Sequence, residues 1–250
     1  MIRSYPGIKT FKGDSITVQD ALVVESPLII VLNDEPFTVT MQTPGNELEL
    51  ALGLLITEGI LSYKNTTSFK HELKLSETES SIRFHLDPTT YSIANKRSLM
   101  SIAACGICGK TDWKVPEGER INNNENKPLL ENGFETMFKN QQAFHASGGL
   151  HAASIFDGHQ KLLSIHEDIG RHNAVDKCIG DLFLKQQLPQ AEWLLVSGRI
   201  SYEIIAKCFK AKISNIAAVS APSSLAVDFA KEWGIHLWGF CREGRHTQYA

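Results

Sequence analysis

Apolar and β-branched residues cluster early in the chain, in LVVESPLIIVLND and PFTVTMQ, and are broken by Pro and Asn-Asp, which predicts strands. Leu48, Leu52, Leu55 and Ile56 then recur at helical spacing with Gly59 close behind, predicting a helix over 46–60. Two short stretches, 69–75 and 82–86, predict further strands. The pattern fails at 103–128, where AACGICGK is small and glycine-rich and PEGERINNNENKP has almost nothing to bury. A mobile loop is expected there, and a helix over 129–144 after it.

Beyond Gly149 the periodicity sharpens. HAASIF and QKLLSI flank Asp157-Gly158, a two-residue hairpin cue, because that pair tolerates the positive φ angles of a type I′ turn. Ala174, Val175, Cys178, Ile179, Leu182 and Phe183 form one apolar stripe of a helix starting just past Gly170. Strands at 193–196, 216–219 and 235–239 alternate with helices at 201–212 and 224–233. This βαβαβ run implies parallel strands with right-handed crossovers, hence a mixed α/β protein. The expected organisation is a smaller β-rich N-terminal domain (1–111) ending in the CxxC segment, a polar loop (112–128) and a C-terminal α/β domain (129–250).

With 42% hydrophobic and 21% charged residues and a net charge of −3, the chain has no basic excess for general nucleic-acid binding, so any anion site must be local. MIRSYPGIKTFKGDS lacks the apolar core of a secretory signal, and no stretch is apolar enough to span a membrane. Five cysteines at irregular spacing in a chain of 250 residues suggest free thiols and a reducing cytoplasm.

The sharpest chemical feature is Cys105-Gly106-Ile107-Cys108-Gly109. Sulfur relay requires an accessible thiolate and a backbone that lets a bulky partner approach, and the glycines serve the second need. Lys110 would favour the thiolate, and the second cysteine would share or expel carried sulfur. Zinc ligation, a thioredoxin-like redox pair and an inert structural role compete for the same residues, although zinc needs ligands recruited from afar. Cys178 and Cys208 lie on apolar helix stripes and are expected in the core; Cys241 stays open.

A second constellation gathers at three strand ends, each read as a strand-to-helix turn: Ser197-Gly198-Arg199; Ser220 in SAPSS; and Phe240, Cys241, Arg242, Glu243, Gly244 and Arg245. In open parallel sheets ligands bind beyond the carboxyl ends of the strands, where helix-start amides attract phosphate. Hydroxyls, glycines and three arginines suit a diphosphate or nucleotide; helix capping alone is the plainer reading of SAPSS. A third is Glu167 to Asn173, EDIGRHN, with Arg171, His172, Asn173 and His151 as donors converging on a polar cofactor. Packing and helix-start electrostatics account for the same residues equally well.

CGICG, SGGLHAA, EDIGRHNAVDK, SGRISYE and SAPSSLAV occur in this order, after VVESPLIIVLNDEP and TPGNELELALGLLITEGIL. Together they resemble the formate dehydrogenase accessory sulfurtransferases, the FdhD/NarQ family, over almost the whole chain. The resemblance implies a cytoplasmic sulfurtransferase that accepts persulfide sulfur from a cysteine desulfurase. It would pass that sulfur to the molybdenum or tungsten bis-molybdopterin guanine dinucleotide cofactor, bound as a substrate and needed by formate dehydrogenase. It also implies a cytidine-deaminase-like C-terminal core without a resident metal, and a homodimer. The persulfide position falls on Cys105 with Cys108 as its partner, and the guanine dinucleotide contact on Phe240 to Arg245. No deaminase zinc signature, His-x-Glu with Pro-Cys-x-x-Cys, is present. A non-catalytic cofactor chaperone is the alternative reading.

Overall fold

The structure, a computed structural model, describes residues 1–62, 70–76, 79–86, 118–121 and 130–250. Most of the stretch expected to be mobile, Cys105 and Cys108 included, lies outside the described residues. Gly118 to Ile121 are described and lie against the body of the protein: the Ile121 amide donates to the Trp233 carbonyl at 2.9 Å.

The first 23 residues, given no element by the hydropathy pattern, form a long hairpin of β1 (Ile2–Phe11) and β2 (Asp14–Val23) around Lys12-Gly13. The LVV of the first apolar run thus closes β2, and a new strand begins at Ser26. β3 (Ser26–Leu32) and β4 (Glu35–Gln42) turn at Asn33-Asp34, both with positive φ, as a two-residue hairpin turn demands. With β5 (Lys70–Lys74) and β6 (Ser80–His85) they make a four-stranded sheet in the order β4-β3-β6-β5, in which β6 runs parallel to β3. α1 (Glu47–Thr57) follows β4.

In the C-terminal half the helix expected over 129–144 breaks at Gln141 into α2 (Glu131–Asn140) and α3 (Gln142–Ser147). The break has a tertiary cause. Glu167 accepts hydrogen bonds from the Ala143 and Phe144 amides at 3.0 and 2.7 Å, starting a new helix from outside. β7 (His151–Phe156) and β8 (Leu162–Asp168) pair as expected, but not through a two-residue turn. The Asp157 carboxylate accepts from the His159 and Lys161 amides, both at 2.9 Å, and so organises a longer loop.

The expected βαβαβ run is present: β9 (Trp193–Val196), α5 (Tyr202–Ala211), β10 (Asn215–Ala218), α6 (Ser224–Trp233) and β11 (His236–Arg242). Antiparallel strands extend its parallel centre on both sides, giving the order β12-β11-β10-β9-β7-β8 with β12 at Arg245–Gln248. Residues 240–245 are therefore not a strand-to-helix turn. They end β11 and reverse at Glu243-Gly244, both at positive φ, into a β-hairpin.

α4 (Arg171–Leu184) lies against β7 and β8 on one side and α1 on the other. α1 and α4 cross at two glycines. A Cβ on Gly180 would stand 1.9 Å from the Glu49 carbonyl oxygen, and one on Gly53 would stand 1.9 Å from that of Asp176. One apolar cluster runs from Leu28, Ile30 and Phe84 through Leu50, Leu55, Val175 and Ile179 to Leu194, Ile216 and Leu237. Both sheets therefore share this core through α1 and α4. The other face of the six-stranded sheet is covered by α2, with Trp193 stacked on Trp238 at 5.0 Å.

Candidate functional site

The loops after β9, β10 and β11 meet at the carboxyl edge of the parallel strands and are joined through their backbones. The Ile200 amide donates to Ala221, the Ser223 amide to Ile200, and the Phe240 amide to Ser220, at 3.2, 2.9 and 3.1 Å. Ser197 is pinned to β7, donating its amide to the Ala152 carbonyl at 3.0 Å and accepting from the Ala152 amide on its hydroxyl at 2.9 Å. Ser223 caps α6 by accepting from Ala226 at 3.2 Å, so the capping reading of SAPSS holds at that residue.

Ser197 and Gly198 lie beside the start of α4. A Cβ on Gly198 would stand 3.2 Å from His151 Nδ1 and 3.4 Å from Arg171 Cδ, so glycine lets both side chains close over the strand end. The α4 N-terminus has Gly170 as its first flanking residue and no side-chain cap. A helix start of this kind favours a negative charge beside it. Among the described residues Arg171 Nε, which is buried, has no hydrogen-bond partner, an uncommon state for a guanidinium nitrogen. Burial, then the charges of Arg171 and His172, lower the His151 pKa from its ordinary 6.5, so its imidazole is neutral at pH 7. Arg199 is exposed at the rim, near enough to add to the same field.

His172 is buried with Nε2 3.3 Å from the Ser201 hydroxyl and 3.6 Å from the Glu203 carboxylate, to which Ser201 donates at 2.6 Å. Burial would raise the Glu203 pKa, but the nearby His172 imidazole and the hydrogen bond from Ser201 outweigh it and hold it down to about 2. In the sequence Ser201 and Glu203 stand out only by their place in SGRISYE. A serine followed by an acid at a helix start is the only local trace they leave.

The rest of EDIGRHN serves the fold. Asp168 accepts from the Thr43 and Gly170 amides at 3.1 and 2.8 Å and from Asn173 Nδ2 at 3.0 Å. It also pairs with Lys177 at 2.7 Å, both side chains being fully buried. Asn173 points away from the strand ends and donates to the Met41 carbonyl at 2.7 Å, so it does not join Arg171, His172 and His151.

Along the same edge Phe240 holds a left-handed backbone conformation (φ 57°) with its ring exposed. A bulky side chain at positive φ is strained, and the bond to Ser220 helps hold it there. Arg242, Glu243 and Arg245 are exposed on the hairpin, Arg245 pairing with Glu243 at 3.0 Å. Cys241 turns inward, and burial pushes its thiol up to about 11, which disfavours the reactive thiolate at this residue. Cys178 and Cys208 are fully buried core residues, as their stripes predict; burial pushes the Cys178 thiol up to about 12 and raises that of Cys208 as well. Among the described residues no three His, Cys, Asp or Glu side chains gather as a metal site, and no helix is long and apolar enough to cross a membrane.

Comparison with known proteins places this architecture among relatives of one kind. The model of the FdhD/NarQ family matches residues 23–250. The chain is 38% identical over 250 residues to the sulfur carrier protein FdhD of Sulfolobus acidocaldarius, covering 99% of this chain and 96% of that protein. It is 36% identical over 260 residues to the protein of the same name from Streptomyces coelicolor, covering 97% and 92%. Its fold matches a crystal structure described as a formate dehydrogenase accessory protein from Desulfotalea psychrophila. That match has a TM-score of 0.72 at 19% identity and covers 99% of this chain and 96% of the other.

Proposed function

The chain belongs to the FdhD/NarQ family, and from that premise we propose that it is a sulfur carrier acting as a sulfurtransferase, with a persulfide on Cys105 and Cys108 as its partner. The donor is a cysteine desulfurase. The Cys105 thiolate attacks the outer sulfur of the donor's persulfide; the donor's S–S bond breaks, the donor leaves as a thiolate, and Cys105 holds S–SH. The acceptor is the bis-molybdopterin guanine dinucleotide cofactor, bound as substrate and destined for formate dehydrogenase. The reading extends to a cytidine-deaminase-like core and a cytoplasmic homodimer.

The observation that carries the cofactor half of the proposal is Arg171. Its buried Nε has no partner among the described residues and lies at a helix N-terminus without a side-chain cap, beside neutral His151 and the exposed Arg199. That combination favours a phosphate or diphosphate. Two strands along, the exposed Phe240 ring and Arg242 and Arg245 would meet the planar base and its phosphates. The protein supplies position and charge, and the cofactor supplies the metal chemistry.

The test is mass spectrometry after incubation with a cysteine desulfurase and cysteine. A labile gain of one sulfur is expected on the peptide holding Cys105 and Cys108. No gain, or an equal gain after Cys105→Ala with Cys108→Ala, would overturn the sulfur-carrier reading. If the double variant still supported an active formate dehydrogenase, the non-catalytic chaperone would replace it.

A further inference from the structure

The notch at Gly198, just past β9, gathers more positive charge than the neighbouring carboxylates balance. The His151 ring and the Arg171 stem both come within 3.4 Å of the point where a Gly198 Cβ would stand, and Arg199 follows next in the chain. Among the described residues, the charged or titratable groups facing His151 are Arg171 and His172 from α4, Asp168 from β8 and Arg199 from the loop after β9. Asp168 lies across from it in the β7–β8 register, but that carboxylate is already held by Lys177 at 2.7 Å. The Glu203 carboxylate accepts from Ser201 at 2.6 Å beside His172. Both acids are thus committed elsewhere. Burial, and then this uncompensated positive charge, keeps the His151 imidazole below its ordinary 6.5 and therefore neutral at pH 7.

An anion in the notch reverses that balance, because it offsets the field of Arg171 and Arg199 and itself favours a proton on the ring. We propose that His151 is a ligand of the bound anion, neutral in the free protein and protonated in the complex, so that the site takes a proton from solvent as it fills. The proton turns the ring into a second cationic donor beside Arg171, and a charge-assisted hydrogen bond is about twice as strong as a neutral one. His172 is not the responding group, since its Nε2 already faces Ser201 and Glu203 at 3.3 and 3.6 Å. The inference deepens the cofactor half of the proposed function and rests on its phosphate site. Arginines keep their charge at every physiological pH, so a site built from them alone would hold a diphosphate equally well across that range. With His151 as a ligand, affinity is greatest below the free-protein pKa of the ring, falls as pH rises, and levels off above its pKa in the complex.

Guanosine diphosphate mannose is the probe, because its esterified diphosphate does not titrate near neutrality and any proton taken up belongs to the protein. Calorimetry of the full chain near neutral pH in Tris and in HEPES, whose ionisation heats differ, should show net proton uptake on binding. Affinity should fall about tenfold from about pH 6 to about pH 8, the change produced by a one-unit rise in a single pKa. In His151→Gln the uptake should vanish and the affinity should stay at its weak, high-pH level throughout. In the wild type the His151 ring resonances should titrate at higher pH with the probe bound than without it, a check that needs no variant. Binding without proton uptake, an unmoved His151 titration, or uptake that persists in His151→Gln would overturn the inference and leave the phosphate site standing. Absence of binding at any pH would overturn the site itself, and the inference with it.

Discussion

Glu203 shows how one side chain records its surroundings. Its carboxyl is held down to about 2 from its ordinary 4.5, because the His172 imidazole and the Ser201 hydroxyl both favour its charged form. The unfolded chain therefore binds the proton more readily, and the stabilisation is complete above pH 4.5 and lost as pH falls toward 2. The contribution is about 2–3 kcal/mol at neutral pH on the linkage scale. Denaturant melts across this range should show a wild-type stability that falls faster than that of Glu203→Gln, whose side chain cannot titrate. Parallel curves would refute the assignment. The fully buried Asp168–Lys177 pair works differently, since it has already traded solvation for a fixed geometry between β8, α4 and the segment after β4.

At the level of elements, the crossing of α1 and α4 is the least forgiving contact in the fold. Gly180→Ala would drive a methyl group into the Glu49 carbonyl, so the helices must separate and the shared core must loosen. A loss of about 3 kcal/mol or more is expected, read as a lower urea midpoint with an unchanged slope. A change within experimental error would mean that the helices slide apart cheaply. Elements of this kind were legible in the sequence because burial imposes a period, as at Leu48 to Ile56 and Ala174 to Phe183. β1–β2 was not legible, because a hairpin exposed on both faces carries no such constraint. The turn expected at 240–245 leads into a strand and not a helix, because Glu243-Gly244, both at positive φ, reverses the chain so that β12 pairs back on β11. In the site, Ser197, Gly198, Arg171 and His172 could be anticipated from their places at strand and helix ends. The link from His172 to Ser201 and Glu203 could not, since it joins the starts of two helices distant in sequence.

For the whole molecule, charge sets a further expectation. A chain with a net charge of −3 that concentrates Arg171, Arg199, Arg242 and Arg245 along one sheet edge should attract anions there and repel them elsewhere. On the proposed function, Arg242→Ala with Arg245→Ala should weaken guanosine diphosphate binding about tenfold or more, roughly 1.4 kcal/mol. Persulfide loading should stay intact. Calorimetry at two salt concentrations would measure both affinity and its electrostatic share, and an unchanged affinity would move the pocket away from the terminal hairpin.

The ledge beneath those arginines is joined peptide to peptide, through Ile200, Ala221, Ser223, Ser220 and Phe240. Side-chain replacement leaves such a joint largely untouched. Descendants of this chain are thus free to repaint the rim for another polyanion while the shelf on which it rests keeps its contour.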